Sequence, residues 1–118
     1  MNKISRYGLH IAIALLAANG CAKEELTSYP CQSRGPDDVA LFDLPEADGL
    51  YVGKSKVTYI VQKSGEITNI HLDLSDVALN GKPLKDPKYE RYAIESLRKK
   101  KLAPRDRACL QDAGGWLN

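Results

Sequence analysis

Few side chains in this 118-residue chain carry chemistry, and their spacing is the first thing to weigh. The cysteines are Cys21, Cys31 and Cys109. No Cys-x-x-Cys spacing occurs, and no histidine lies near Cys31 or Cys109 in sequence, so a catalytic thiol is disfavoured. His71 stands two residues before Asp73 and could act as a base or a metal ligand. A single histidine without a partner at ligand spacing fits a surface strand position better. Asp37, Asp38, Asp43, Glu46 and Asp48 form a loose acidic set that could hold calcium. They lack the EF-hand spacing, and a solvated acidic loop is the simpler reading. Arg98, Lys99, Lys100 and Lys101 could meet anionic headgroups or an acidic partner, or could simply close a helix whose C-terminus favours cations. No set of residues assembles into a catalytic site. The expectation is a binding module that is not an enzyme and has no cofactor and no metal.

The charge balance narrows the partners. The formal net charge is +2, from 17 basic and 15 acidic side chains. Lys3 and Arg6 precede Cys21 and no acid does, so without residues 1–20 the balance is 17 − 2 = 15 against 15. A neutral body gives no electrostatic reason to expect nucleic acid. It amounts to 118 − 20 = 98 residues, enough for one modest core that a crosslink would help.

Residues 1–20 have the layout of a signal peptide: a basic start, the apolar run Gly8–Ala18, then small residues. The apolar run is too short to span a bilayer, which takes about 20 residues. Ala18-Asn19-Gly20 ahead of Cys21 resembles the bacterial lipoprotein cleavage box, although Ala18 stands where leucine is usual. That resemblance implies lipid on Cys21 and anchoring to a membrane at the periplasmic face of the envelope. Ordinary cleavage after Gly20 is the alternative. If Cys21 carries lipid, Cys31 and Cys109 are the natural disulfide pair in an oxidising compartment. Loop-closure entropy would then contribute roughly 4 kcal/mol. Two separate buried thiols are the alternative.

Residues 21–48 read as a tether and lead-in, and 49–118 as the domain. Asp37 to Phe42 could form one helical turn capped by Asp37. Leu50–Val52, bracketed by Gly49 and Gly53, reads as a short edge strand. Val57, Tyr59 and Val61 alternate with Thr58, Ile60 and Gln62, as on a strand with two unlike faces. Lys63-Ser64-Gly65-Glu66 reads as a hairpin turn with Gly65 at positive φ. Ile70, Leu72 and Leu74 then alternate with Asn69, His71 and Asp73. A loop with an Asn80-Gly81 turn leads to Asp86-Pro87, a cap followed by a first-turn proline. Tyr89, Ala93, Ile94 and Leu97 make a helical stripe that Pro104 ends. Arg107–Leu110 reads as the last strand, with Trp116 folding back over Gly114-Gly115 to cap the core.

In order, VTYIVQ, the turn KSGEI, TNIHLDLS, the helix YAIESLRKKKL and Ala103-Pro104 resemble the C-terminal domain of TonB over roughly Lys54 to Leu110. Gly65 and Pro104 occupy that family's recurring positions. The resemblance implies an α+β fold, a small antiparallel sheet of three or so strands packed on one main helix. It also implies recognition of an extended peptide at an open sheet edge, where backbone pairing supplies affinity. The edge would be Ala108, Cys109 and Leu110, or else Leu50–Val52. The partner would be an envelope protein or peptide segment, such as an outer-membrane receptor in TonB-dependent transport. No long proline-rich spacer is present, and Ser5 and His10 lack the family's membrane-helix spacing, so the fold transfers better than energy coupling does. A small structural lipoprotein, or a periplasmic enzyme using His71, are the other readings.

Overall fold

The computed structural model describes residues 24–32 and 38–117. The proposed lipidation site Cys21 and the signal region lie outside the described residues. Among these residues the fold is a small α+β arrangement of one helix and a curled antiparallel sheet.

Its axis is β1, Tyr51–Val61, an 11-residue strand far longer than the short edge strand expected at Leu50–Val52. Along one side of β1 run β2 (Ile67–Asp73) and then β3 (Val77–Leu79). Along the other run β5 (Cys109–Asp112) and β6 (Gly115–Leu117), which keep one register across Ala113-Gly114. Ala113 N–H donates to Val57 O at 2.9 Å between them. The strand segments β1, β2, β3, β5 and β6 therefore lie on three lines. The loop expected after β2 instead makes a tight hairpin of β3 with β4 (Lys82–Pro83). Asn80 and Gly81, both at positive φ (52° and 81°), form its turn.

The β1–β2 turn is closed by Gly65 N–H donating to Gln62 O at 2.8 Å, with Gly65 at φ 95°. A bulge then falls opposite Tyr59, at Asn69 (φ 51°). Ile67 and Ile70 are three apart and would face opposite sides of a regular strand. The extra residue brings both to the core side, in step with Leu72 and Leu74.

The helix α1, Pro87–Arg98, starts where Asp86 accepts from Lys88 N–H at 2.9 Å and Pro87 needs no donor. Ala93 and Leu97 are fully buried; Tyr89 and Ile94 are half-buried. Burying Leu97 alone stabilises by about 2 kcal/mol. The helix packs beside β2 and shares a core with Val57, Tyr59, Val61 and Ile67. It ends at Arg98, six residues before Pro104, because Lys99 and Lys100 N–H turn back to Glu95 and Leu97 carbonyls.

Three expectations are corrected. Trp116 does not cap the core; it is 77 % exposed. It pairs across from Lys54, whose neighbours Ser55 and Gly53 take the core side, so alternation turns it to solvent. The helical turn expected at Asp37–Phe42 is absent from Val39–Phe42; Asp37 is outside the described residues. There the backbone is held elsewhere: the Tyr59 hydroxyl accepts from Ala40 N–H at 2.8 Å and donates to Ala40 O at 3.0 Å. The basic run does not lie in the last turn as a unit. Lys100 reaches Asp43 at 3.2 Å and the Leu41 carbonyl, and Lys101 bridges Glu66 in an isolated antiparallel pair.

Candidate functional site

A guest strand needs a row of backbone groups that no other strand has taken. β1 offers none in its middle, because it pairs on both sides. Its first residues, Tyr51–Gly53, pair with Val77–Leu79, so the Leu50–Val52 edge is covered on that side.

The closing strand is occupied as well. Ala113 N–H points at β1, so alternation turns the Leu110 N–H and C=O outward. Both are already bonded: Leu110 N–H donates to Tyr29 O at 2.7 Å, and Cys31 N–H donates to Leu110 O at 2.9 Å. Tyr29–Cys31 thus forms a short parallel strand on the outer edge of β5. Pro30 suits the place because both bonds come from its neighbours. Ala108 and Cys109 are buried and Leu110 is half-buried. Cys31 and Cys109 are joined as a disulfide, with Cα atoms 4.8 Å apart. The Tyr29 ring lies under the Arg107 guanidinium at 3.8 Å. Upstream, the buried Gln62 carboxamide accepts from Glu25 N–H at 3.0 Å and donates to Glu25 O at 3.1 Å. A guest can pair with Ala108–Leu110 only where the chain's own strand has left.

Three outer sides have no second strand among the described residues: those of β4 and β6, only two and three residues long, and the longer one of β2. Its start is closed, since Leu102 N–H donates to Gly65 O at 2.9 Å and Glu66 pairs with Lys101. From Asn69 to Leu72 no backbone partner lies outside β1 among the described residues. Ile70 and Leu72 are half-buried beside α1, and Asn69, His71 and Asp73 are exposed on the other face. This is a strand edge with apolar footing on one side and polar side chains on the other.

His71 sits on that polar face, paired through the backbone with Thr58. Asp73 does not serve it. Its carboxylate accepts from Ser75 N–H at 2.8 Å, and that bond holds its pKa below the usual carboxylate range. Among the described residues no three of His, Cys, Asp and Glu gather at metal-binding distance. The acidic set is dispersed. Asp38 is paired with Arg105 at 2.9 Å, at 11 % and 5 % side-chain exposure, and Asp43 meets Lys100. An open cleft of about 370 Å³ lies between Phe42, Leu44, Leu50, Tyr51 and Leu117, with the charged Asp43 also in its lining.

Sequence reasoning missed the edge strand Tyr29–Cys31 and the Asp38–Arg105 pair. The first is three residues long and contains a proline, so it carries no alternation to read. The second joins residues 67 apart. The Tyr59 hydroxyl had a weak signal: a tyrosine placed among core valines needs a partner for its oxygen.

Comparison with family models, with curated proteins and with solved structures finds no match to this chain.

Proposed function

We propose that this chain is an envelope adaptor of TonB C-terminal type that holds an extended segment of a protein partner by strand addition. The observation that carries the reading is the outer edge of β2, where the side of the backbone turned away from β1 has no partner from Asn69 to Leu72 among the described residues and is flanked by half-buried Ile70 and Leu72. An incoming strand would find main-chain donors and acceptors there, and half-buried Ile70 and Leu72 beside them for its alternate side chains. The order strand, turn, strand, helix, strand supports the family likeness. The Cys31–Cys109 bond favours an oxidising compartment, in keeping with export and with lipid on Cys21 as the anchor. A role in transport through an outer-membrane receptor belongs to the same proposal.

The test starts with a photo-crosslinking side chain at His71, exposed on β2, in cells. Mass spectrometry identifies the captured segment. A synthetic copy of it is then titrated into isotope-labelled protein. The reading expects the amide resonances of Ile70 and Leu72 to move while those on the β5 side stay. A captured partner whose peptide leaves both amides unmoved would refute strand addition at this edge.

A further inference from the structure

The strand Tyr29–Cys31 is held to β5 by two backbone hydrogen bonds and one covalent bond. It adds little to the core. Glu24, Glu25, Leu26, Ser28, Pro30 and Gln32 are exposed, and only Tyr29 and Cys31 pack partly against the buried cluster. The fully buried side chains Val57, Tyr59, Val61 and Leu97 come from β1 and α1. Departure of this strand would leave that cluster in place and expose the Leu110 N–H and C=O.

The two sulfurs are not equivalent. Cys109 is 4 % exposed, and its Sγ lies 3.8 Å from Arg105 Nη1. Cys31 is the more accessible of the two. Thiol–disulfide exchange proceeds by attack on a reachable sulfur, and it is faster when the leaving sulfur's negative charge is stabilised. A buried guanidinium beside Cys109 makes that sulfur the leaving group.

We infer that Cys31–Cys109 is a redox latch on the β5 edge: a dithiol reductant opens it, Tyr29–Cys31 leaves, and an extended guest takes its place on Leu110. One thiolate of the reductant bonds to Cys31 Sγ as the bond to Cys109 breaks, and the electron pair goes to Cys109 Sγ beside Arg105. The reductant's second thiol loses its proton and attacks the mixed disulfide. Cys31 is expelled as a thiolate and takes up a proton. Two electrons pass from the dithiol to the protein, and the reductant departs as its own disulfide. The displaced strand sets the terms for the guest: parallel to β5, an aromatic side chain under Arg107, and no amide needed at the next residue. The guest half rests on the strand-addition reading; the latch half does not.

The test is hydrogen exchange on the exported protein, oxidised and in excess dithiothreitol. After reduction, the Leu110 and Cys31 amides are expected to exchange within about tenfold of an unstructured chain, while Ala113 and Gln62 stay slowed more than about a hundredfold. If Leu110 stays as protected as Ala113, or if all four amides become fast, the latch is refuted. Arg105→Met with Asp38→Asn removes the cation without orphaning the carboxylate, and should slow reduction by dithiothreitol about tenfold. An unchanged rate would refute the role of Arg105. A labelled peptide copying residues 25–32, with serine for cysteine, should bind the reduced protein at least about tenfold tighter than the oxidised one. Equal or absent binding would refute the guest half, whereas the exchange result stands by itself.

Discussion

Replacing Tyr59 by Phe removes one oxygen and nothing else, which makes it a sharp probe of how the lead-in is fastened. Tyr59 is 0 % exposed, and its hydroxyl bonds both the N–H and the C=O of Ala40, itself 5 % exposed. Without the oxygen, two buried backbone groups lose their partner. Each such loss costs about 1–3 kcal/mol. The segment after Asp38 can shift and admit water, so the expected total is about 2–3 kcal/mol instead of the full sum. Tyr51→Phe is the control: its hydroxyl donates to Pro45 O at 2.6 Å, but the ring is only half-buried. Water can replace that bond, and the cost should stay under about 1 kcal/mol. Urea unfolding of oxidised protein, followed by far-ultraviolet circular dichroism, measures both. Equal losses, or a Tyr59→Phe loss under about 0.5 kcal/mol, would show that the hydroxyl does not fasten Ala40.

Other outcomes follow from the same geometry. Asp38→Ala should cost about 3 kcal/mol, because Arg105 is left charged and buried, and Arg105→Met/Asp38→Asn should cost less than Asp38→Ala alone; urea midpoints compare them. Gly65→Ala should destabilise by well over about 1 kcal/mol, since its Cβ would stand 1.9 Å from Leu102 O at φ 95°. Gly81→Ala, at φ 81° with nothing within 4 Å, should cost only about 1 kcal/mol in the same assay. Burial raises the Tyr59 pKa, only partly countered by its bond to Ala40 and by Arg105. The neutral phenol's stabilisation is therefore complete below the unfolded value of about 10 and fades as pH rises through the folded one. Thermal midpoints should fall above about pH 10, and Tyr59→Phe should flatten that fall, leaving the smaller part due to Tyr51, which burial also raises.

The parts of the fold that could be read from residues alone are those with a local cause. Alternation from Ile70 to Leu74 needs only a strand with one dry face; at the end of β1 the alternation is there in the residues, but Ile60 and Gln62 on its second face are buried as well. Gly65 is required by the turn, and Asp86-Pro87 starts the helix by supplying a cap and omitting a donor. The length of β1 was hidden because Gly53, Lys54 and Lys56 interrupt the apolar signal, although backbone pairing carries the strand straight through them. Trp116 misled because its size suggests burial, whereas its position opposite Lys54 decides its side. The candidate site was harder still. Ala108–Leu110 does lie on an outer strand, but its outward groups are taken by residues about eighty positions away. No periodicity announces a partner of that kind.

The single surplus residue at Asn69 has a consequence for how this hairpin can vary. It shifts the odd–even frame once, so that Ile67 before it and Ile70 after it share a side. Deleting Asn69 would leave Ile67 and Ile70 two apart, on one side of a regular ladder, with Leu72 and Leu74 still in step. This stretch can thus shorten by that one residue, whereas losing two would make Ile67 and Ile70 neighbours and turn one side of the hairpin's apolar set to water.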